Sequence, residues 1–452
     1  MGSIDCSVRL LENFETQGYR PGARPDGARS STVQPMSRRA PRIIGVACAM
    51  ATLAAACTVG EDSTPETTVS APTTTIAPQR SGDSQLTIGL LLPSSDPIIG
   101  QGLIDASKTA VERINVAGGV LGRPVRIVEQ DEGLGDGGAA GVAALLASDP
   151  QIDAVVGPAS SLTALNELDT LVSAGVMSCS PTATALALDD FPDNQLFFRT
   201  APSDSLQALA ISDLAQRTGV QNIAVAHVDD VYGRPFAAAV TDALAEGTRT
   251  VTSYPFSRDG GIEDIAQNVV ESGARVVVVL AGSDDGTAFL EALSTTNFGS
   301  LVDIIVNDQL RDPAVAQRIE ALDPSLRDRV RGVAPQAQSA NENRPFDPPG
   351  LFAANAFDCV NLIALAVGLV GTDDPSVFAT QIPALTTRGR VCRSFDECRR
   401  LLDESLNINY NGPDGITELL VVGHPARARF DVFAYDETGR GVFEQSIIAS
   451  RF

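Results

Sequence analysis

Residues 275–280 read Arg275-Val276-Val277-Val278-Val279-Leu280, and this run decides the fold class. β-Branched side chains favour strands, and a run without polar alternation is typical of a strand buried on both faces. Comparable apolar runs occupy Leu86–Leu92 and Ile152–Val156, and helical patterns such as Ser161–Ala174 separate successive runs. The alternation predicts an α/β fold in which parallel sheets are covered by helices.

The predicted strands are too many for one comfortable sheet, which indicates two doubly wound lobes of similar size. Breaks near Pro202, Ala334 and Gly412 would divide the body. Lobe 1 would then hold residues 86–202 and 335–412, and lobe 2 residues 203–334 and 413–452. A cleft between lobes that the chain crosses three times implies hinge closure on a ligand.

Residues 36–57 have the features of a secretory signal peptide. Three arginines precede Ile43–Ala56, an apolar run of 14 residues, whereas roughly 20 are needed to span a bilayer. Leu53-Ala54-Ala55-Ala56-Cys57 resembles a bacterial lipobox, so we expect cleavage before Cys57 and its lipidation. An ordinary secreted protein and an uncleaved anchor remain alternatives, and Ser37-Arg38-Arg39 also hints at twin-arginine export. The spacing from Met36 suggests that residues 1–35 reflect an upstream start.

Residues 58–85 are rich in Thr, Ser and Pro and contain almost no large apolar side chain. Such a segment cannot bury enough surface to offset its ordering entropy, so it is predicted to be a disordered tether. Lipid, tether and globular body together predict a protein held at the extracytoplasmic face of the bacterial cell membrane. The formal charge of −23 argues against nucleic acid as a partner.

Four cysteines lie in the body, and such sets in exported proteins are generally oxidised to disulfides. Cys392 and Cys398 are six residues apart, so a local disulfide between them is favoured. Cys179 and Cys359 would then be the two cysteines left to pair with each other. Free buried thiols are the alternative for these two, because both lie in apolar patterns.

Three segments each follow an apolar strand-like run and precede a helix-like one: Ser180–Thr184, Arg199–Asp204 and Asp229–Gly233. The carboxyl ends of parallel strands are where such sheets bind ligands. The segments supply small hydroxyls, backbone groups and carboxylates. This chemistry indicates capture of a small zwitterion rather than a reaction.

In order and spacing, these segments resemble those of the type I periplasmic binding proteins, specifically the leucine/isoleucine/valine-binding family of substrate-binding lipoproteins. Other matching segments are Ala117-Gly118-Gly119, Val155-Val156-Gly157-Pro158, Ala356-Phe357-Asp358 and Asn409-Tyr410-Asn411-Gly412. The resemblance runs from about Leu86 to the end of the chain. It implies ligand capture between two lobes and delivery to an ABC transporter permease.

The resemblance also assigns ligand-binding residues. Ser161 would meet an α-carboxylate where a helix begins, because free N–H groups and the helix dipole favour an anion there. Thr182 and Thr184 would add contacts to the head group, and Tyr232 would approach the ammonium from the opposite lobe. Asp308 would be the acidic counter-ion of that ammonium.

Two further positions suggest a change in specificity. Gln101 and Ser283 stand where branched-chain binders place large aromatic side chains, and the sequence has no Trp. A pocket without that lining gains little from burying an isobutyl group. We expect the amino-acid head group to be retained and the side-chain preference to have moved toward something polar or larger.

Rival interpretations are weaker. Gly133–Gly138 spells G-x-G-x-x-G, but it follows the second strand of its lobe, and the acid expected after the next strand is missing. His227 and His424 lack metal-ligand spacing, and adjacent acids such as Asp229-Asp230 diverge in a turn. We therefore predict a binding protein that is not an enzyme and has no cofactor or metal. A transport receptor and a sensing or adhesion module on the same fold remain alternatives.

Overall fold

The computed structural model of the chain describes residues 80, 82–97, 99–133, 141–245, 249–257, 259–336, 350–413, 415 and 417–451. The predicted leader, Cys57, most of the tether and all but the first residue of Gly133–Gly138 lie outside the described residues.

One sheet is parallel and five-stranded, in the order β2-β1-β3-β4-β5. Its strands are β1 (Thr87–Leu92), β2 (Arg126–Asp131), β3 (Ala154–Val156), β4 (Met177–Ser180) and β5 (Phe197–Arg199). Neighbouring side chains of β1 enter opposite cores: Leu90 belongs to the large cluster that includes Leu103 and Ile363, and Leu91 to a smaller cluster with Leu146. The sheet is therefore covered on both faces.

The second sheet is mixed and eight-stranded. Strands β6 (Asn222–Val228), β7 (Thr250–Phe256), β8 (Val276–Leu280), β9 (Asp303–Val306) and β10 (Val330–Pro335) are parallel in the order β10-β9-β8-β6-β7. A further pair, β11 (Arg390–Cys392) and β12 (Ile408–Tyr410), forms a small sheet of its own. The chain ends with β13 (Thr417–Leu419), β14 (Pro425–Tyr435) and β15 (Gly441–Ser450), which extend the second sheet in antiparallel fashion next to β10.

Thirteen helices are present among the described residues. In chain order they are α1 (Ile99–Val116), α2 (Val142–Ser148), α3 (Ser161–Ser173), α4 (Asp204–Arg217), α5 (Gly233–Leu244), α6 (Ile262–Glu271), α7 (Ser283–Ser294), α8 (Ala316–Glu320), α9 (Pro324–Arg327), α10 (Ala353–Val370), α11 (Pro375–Phe378), α12 (Ala384–Thr387) and α13 (Phe395–Asp403). The apolar helix α10 is long enough to cross a membrane, but 83% of it is buried inside the protein, as in a core helix.

The valine run behaves as its sequence predicts. Val277 and Val279 enter the core that contains Phe289 of α7, whereas Val276 and Val278 enter the core that contains Phe236 of α5. All four are fully buried, and each such side chain contributes about 1.5–3 kcal/mol relative to exposure. The predicted fold class, parallel α/β lobes on a doubly wound plan, is confirmed.

The chain passes between the two sheets three times: between β5 and α4, between β10 and α10, and between β12 and β13. The third connection, which follows β12, is hydrogen-bonded to α10 through Tyr410. The hydroxyl of Tyr410 donates to Asp358 and accepts from Nδ2 of Asn361 at 2.8 Å. Two lobes joined by three connections thus frame a cleft.

Both cysteine pairs are bonded in the structure. Cys392–Cys398 closes a short loop with a sequence separation of 6, and Cys179–Cys359 joins β4 to α10 across a separation of 180. The second bond lies inside the core of lobe 1, with both cysteines buried.

Candidate functional site

A cavity of about 380 Å³ lies at the carboxyl ends of strands from both sheets. This is the edge at which parallel α/β sheets bind ligands. Residues that follow β1, β2, β3 and β4 form one wall, and residues that follow β6, β8 and β9 form the other. Its polar lining comprises Asp96, Glu132, Ser160, Ser161, Thr182, Thr184, Asp230, Tyr232, Asp285, Gln309 and Asp312.

Helix α3 begins at the cavity wall. The Ser160 hydroxyl caps the helix by accepting from the amide of Thr163 at 3.3 Å. Gly157 permits the tight loop before it, because φ is +120° and a Cβ there would lie 2.0 Å from the carbonyl oxygen of Leu91. The first amides of a helix have no partner within the helix, so the amides of Ser161 and Leu162 are available to an anion in the cavity.

The hydroxyls on this wall are linked to one another through the backbone. Oγ of Ser161 accepts from the amides of Thr184 and Ala185 at 3.1 and 3.2 Å. Oγ1 of Thr182 donates to the carbonyl of Ala159 at 2.5 Å. The Ser160–Leu162 and Thr182–Thr184 segments are therefore held as one surface.

Tyr232 reaches the cavity from the opposite wall, just before α5. Its phenolic oxygen accepts from Nδ2 of Asn307 at 3.3 Å. Burial raises the pKa of Tyr232 well above its usual value, and the charges of Asp204 and Asp308 raise it further. The phenol thus lies close to both carboxyl groups.

Asp204 and Asp308 form a buried carboxyl pair behind the cavity wall. They are 0% and 1% exposed. Oδ1 of Asp308 accepts from Nε2 of Gln207 at 2.9 Å, but Oδ2 of Asp308 and both oxygens of Asp204 accept no well-formed hydrogen bond among the described residues. Burial raises the pKa of both carboxyls, and the charge of Asp308 raises that of Asp204 further, whereas the nearby Thr184 hydroxyl lowers it.

Four of the seven predicted ligand-binding residues line the cavity: Ser161, Thr182, Thr184 and Tyr232. The other three do not reach its surface within the described part of the chain. Gln101 is exposed on α1 and donates to Oδ1 of Asp105 at 2.7 Å. Ser283 donates to the carbonyl of Gln309 at 2.9 Å, and the side chain of Asp308 is buried while its neighbour Gln309 lines the cavity.

The lining is acidic. It includes five carboxyl groups, Asp96, Glu132, Asp230, Asp285 and Asp312; none is among the seven predicted ligand-binding residues, although Asp230 lies in the predicted segment Asp229–Gly233. Burial raises the pKa of Glu132 to about 7, even though Glu132 accepts from the amides of Ala159 and Ser160. Each of the five follows a strand end within six residues, which was the available signal.

Asp204, which ends the predicted segment Arg199–Asp204, is not among the seven predicted ligand-binding residues, and the structure buries it beside Thr184 and Tyr232 behind the cavity lining. Ser203 caps α4 by accepting from the amide of Ser205 at 3.1 Å, so Asp204 is the first helical residue rather than the cap. Because Ser203 is the cap, the buried carboxyl of Asp204 is not needed to cap the helix. Asp204 therefore differs from the acids that commonly begin helices as caps.

Comparison with known proteins places the chain among binding proteins. The sequence profile described as "Periplasmic binding protein" matches residues 85–396. The chemotactic signal transduction system substrate-binding protein BasB of Halobacterium salinarum is 28% identical over 366 residues, which cover 75% of this chain and 84% of that protein. Leu/Ile/Val-binding protein homolog 3 of Brucella melitensis is 25% identical over 322 residues, 65% of this chain and 81% of that protein.

A solved structure shows the same fold. The ABC transporter substrate-binding protein from Desulfitobacterium hafniense, in complex with Leu, superposes with a TM-score of 0.63 and 19% sequence identity. The match covers 80% of this chain and all of the other.

Proposed function

From the premise that the chain belongs to the periplasmic binding protein family, we propose that it captures an α-amino acid or a related small zwitterion between its lobes. We further propose that it delivers this ligand to an ABC transporter permease. The observation that carries the proposal is the pairing of two opposite sites around Thr184. Ser161 and Leu162, whose amides have no partner within α3, line the cavity, whereas the buried carboxyls of Asp204 and Asp308 lie behind Thr184 and Tyr232.

The ligand's carboxylate is assigned to the start of α3. The amides of Ser161 and Leu162 point out of the helix, and the positive end of the helix dipole favours an anion there. The hydroxyls of Thr182 and Thr184 stand beside these amides on the same wall. No Lys, Arg or His lines the described part of the cavity, so the backbone would supply this recognition.

The ligand's ammonium is assigned to the space between Thr184 and Tyr232. Asp204 and Asp308 lie behind these two side chains and raise the pKa of the phenol. A buried carboxylate whose charge is not compensated is costly. An ammonium group would supply the missing donors and compensate the negative charge.

Ligand-induced thermal stabilisation tests this assignment. Twenty α-amino acids, their amides and their decarboxylated amines are compared on the same protein. We expect stabilisation only by ligands that carry both the α-carboxylate and the α-ammonium, reaching about 2.7 kcal/mol at 100 times the dissociation constant. Stabilisation that survives loss of either group contradicts the two-site head-group assignment, and no response to any amino acid contradicts the proposal.

A ligand sensor uncoupled from transport is the second candidate. The observation in its favour is the relative BasB, whose name places it in chemotactic signal transduction. Transport and sensing both require ligand binding between the lobes, so the residues of the binding site do not distinguish the two functions. Ligand uptake reconstituted with an ABC transporter permease would support transport, whereas ligand-dependent activation of a signalling receptor would support sensing.

We also propose that Cys57 carries a lipid that holds the body at the outer face of the membrane. The support is the lipobox-like Leu53–Cys57 preceded by an apolar run. In a native host, the wild-type protein should sediment with membranes and Cys57→Ser should appear in the soluble exported fraction. Equal distribution of the two proteins would contradict lipidation.

A further inference from the structure

Glu132 is a buried carboxyl group on the wall from which α3 begins. It is only 2% exposed, yet it lines the cavity together with Ser160, Ser161 and Leu162. We propose that Glu132 takes up a proton from water when an anionic group of the ligand binds at the start of α3, so that ligand capture is coupled to proton uptake. This inference rests on the proposed function, which assigns the ligand's carboxylate to that position.

The carboxyl group of Glu132 is held by the loop that leads into α3. Its two oxygens accept from the amides of Ala159 and Ser160 at 2.6 and 2.7 Å, and the hydroxyl of Thr163 in the first turn of α3 also hydrogen-bonds to it. The amide of Glu132 donates to the carbonyl of Leu92 at 3.0 Å, which fixes its backbone to the end of β1. The carboxyl group therefore cannot turn away from an arriving anion without losing these bonds.

The next two amides along the chain are those assigned to the ligand's carboxylate. Ala159 and Ser160 donate to Glu132, and Ser161 and Leu162 follow them directly. Consecutive Cα atoms are about 3.8 Å apart, so an anion on the later pair of amides lies on the order of 4–7 Å from the Glu132 carboxylate. At such a separation each negative charge disfavours the ionised form of the other.

The surrounding elements supply no positive charge to relieve this repulsion. No Lys, Arg or His lines the described part of the cavity. Asp131 precedes Glu132 and stays ionised, because hydrogen bonds from the Ser95 hydroxyl and the Gly133 amide lower its pKa. Asp96 follows β1 on the same wall. An anion at the start of α3 therefore binds better when Glu132 is neutral.

Glu132 is also the group that can accept a proton near neutral pH. Burial raises its pKa to about 7 despite its three hydrogen bonds, and the charge of Asp131 raises it further. An α-carboxylate is a much weaker base, with a pKa of about 3.5. A protonated carboxyl keeps acceptor capacity on its oxygens, so the bonds from Ala159 and Ser160 can persist. Proton uptake thus neutralises Glu132 and leaves the loop in place.

Asp204 and Asp308 contribute to the proton balance with the opposite sign. Burial raises the pKa of both carboxyls. The ligand's ammonium would favour their ionised forms, so they would release protons on binding. The total number of protons exchanged is therefore a sum over both ends of the head group, and only a comparison with a variant at position 132 isolates the share of Glu132.

Isothermal titration calorimetry of the full-length protein tests the coupling. The tightest binder among the twenty α-amino acids is titrated near pH 7.5 in buffers of different ionisation enthalpy, which gives the number of protons taken up. The wild type should take up more protons than Glu132→Gln, by roughly half a proton. Affinity should be lost as pH rises above the free-state pKa of Glu132, so from about pH 6 to about pH 8.5 the wild type should lose about tenfold more affinity than the variant. Equal proton uptake and equal pH profiles would overturn the proposal.

Glu129→Gln is the matched control. Glu129 lies on the same strand, β2, with a side chain that is 48% exposed and pairs with Lys108 at 2.9 Å. This variant should keep the proton uptake and the pH profile of the wild type. Effects equal to those of Glu132→Gln would mean that general surface charge, not the buried carboxyl, couples binding to protons, and would contradict the proposal.

A measurement on the wild-type protein covers the case in which Glu132→Gln disturbs the loop. Carbon-13 NMR of the glutamate side-chain carboxyls follows the titration of Glu132 directly, with its signal identified by its absence from Glu132→Asp. The midpoint should move to higher pH when the same amino acid is present at saturation. An unchanged or lower midpoint would overturn the proposal.

The outcomes also separate this inference from the proposed function. If an α-amino acid binds with the same proton balance in the wild type and in Glu132→Gln, the head-group assignment stands and the proton coupling is wrong. If no α-amino acid binds the wild type at any of these pH values, both fail.

Discussion

At the scale of single residues, Asp204 connects stability with binding. It is fully buried, and neither of its oxygens accepts a well-formed hydrogen bond among the described residues. Desolvation and the nearby Asp308 raise its pKa well above the usual value. Without a ligand, the ionised form of this residue therefore opposes folding.

Asp204→Asn should stabilise the ligand-free protein and abolish its response to amino acids. We expect a gain of about 1–3 kcal/mol in the free energy of unfolding near neutral pH, the penalty of an uncompensated buried polar group. Because the folded-state pKa lies above the unfolded one, the wild type loses stability as pH rises through that interval, and the variant does not. The gain should thus grow with pH and vanish below about pH 4. Denaturant unfolding at several pH values measures it.

Asp213→Asn is the control, because Asp213 lies on the same helix with a side chain 46% exposed. It should change the free energy of unfolding by less than about 0.5 kcal/mol. If Asp204→Asn destabilised the protein at neutral pH, the carboxyl would have a partner that supports the fold.

Tyr232→Phe should weaken binding while leaving the fold intact. The phenolic oxygen accepts one long hydrogen bond, from Asn307 at 3.3 Å, so its loss removes little stability. Loss of a head-group contact should lower affinity about tenfold, as expected for one hydrogen bond. Titration of the best ligand gives the comparison, with Tyr254→Phe on β7 as the control. An unchanged affinity would remove the phenol from the binding site.

Residue-level predictions from sequence were limited by small shifts along loops. The resemblance selected Ser161, Thr184 and Tyr232, which line the cavity, but it also selected Asp308, whose neighbour Gln309 lines it instead. A shift of one residue along the loop after β9 decides which side chain faces the cavity. The hydrophobic pattern of the sequence does not reveal such a shift, because the loop has no regular period. Gln101 could not be placed either, because its orientation depends on how α1 is rotated against the sheet.

At the scale of elements, long and uniformly apolar segments were predictable. Val276–Val279 are buried on both faces of the sheet, and α10 is buried along most of its length. Their apolar composition alone therefore indicates a buried strand and a buried helix. The three-residue strands β11 and β12 were not predicted. Such strands are too short to show a period, and pairing with a neighbour determines them.

The two disulfides should differ in their contribution to stability. The entropic loop model gives about 5 kcal/mol for a loop of Cys179–Cys359 length and about 2 kcal/mol for one of Cys392–Cys398 length. Replacing each pair by alanines and measuring denaturant unfolding gives the comparison. The double variant at positions 179 and 359 should be the less stable by more than about 1 kcal/mol. Equal losses would mean that packing, not loop closure, dominates.

At the scale of the whole molecule, the site exists only as long as the two lobes face each other. The surface formed by Ser160–Leu162 and Thr182–Thr184 belongs to lobe 1, whereas Tyr232, Asp285 and Asp312 belong to lobe 2. Neither lobe alone carries both the start of α3 and the carboxyl groups that follow β6, β8 and β9. Three connections allow rotation of one lobe against the other without separating them.

Ligand binding should therefore make the molecule more compact. Small-angle X-ray scattering of the full-length protein should show a smaller radius of gyration with saturating ligand than without it. An identical scattering curve in both states would contradict closure.

The division of the acids between the two walls has a mechanical consequence. Asp96 follows β1 of lobe 1, whereas Asp230, Asp285 and Asp312 follow strands of lobe 2, so closure of an empty cleft should bring carboxylates of the two lobes closer together. We expect this repulsion to oppose closure of the empty cleft. Salt shortens the range of such a force, to about 10 Å at 0.1 M. Concentrated salt should therefore allow the ligand-free protein to adopt the closed form more often. A partner that recognises only the closed form would then also bind protein that carries no ligand.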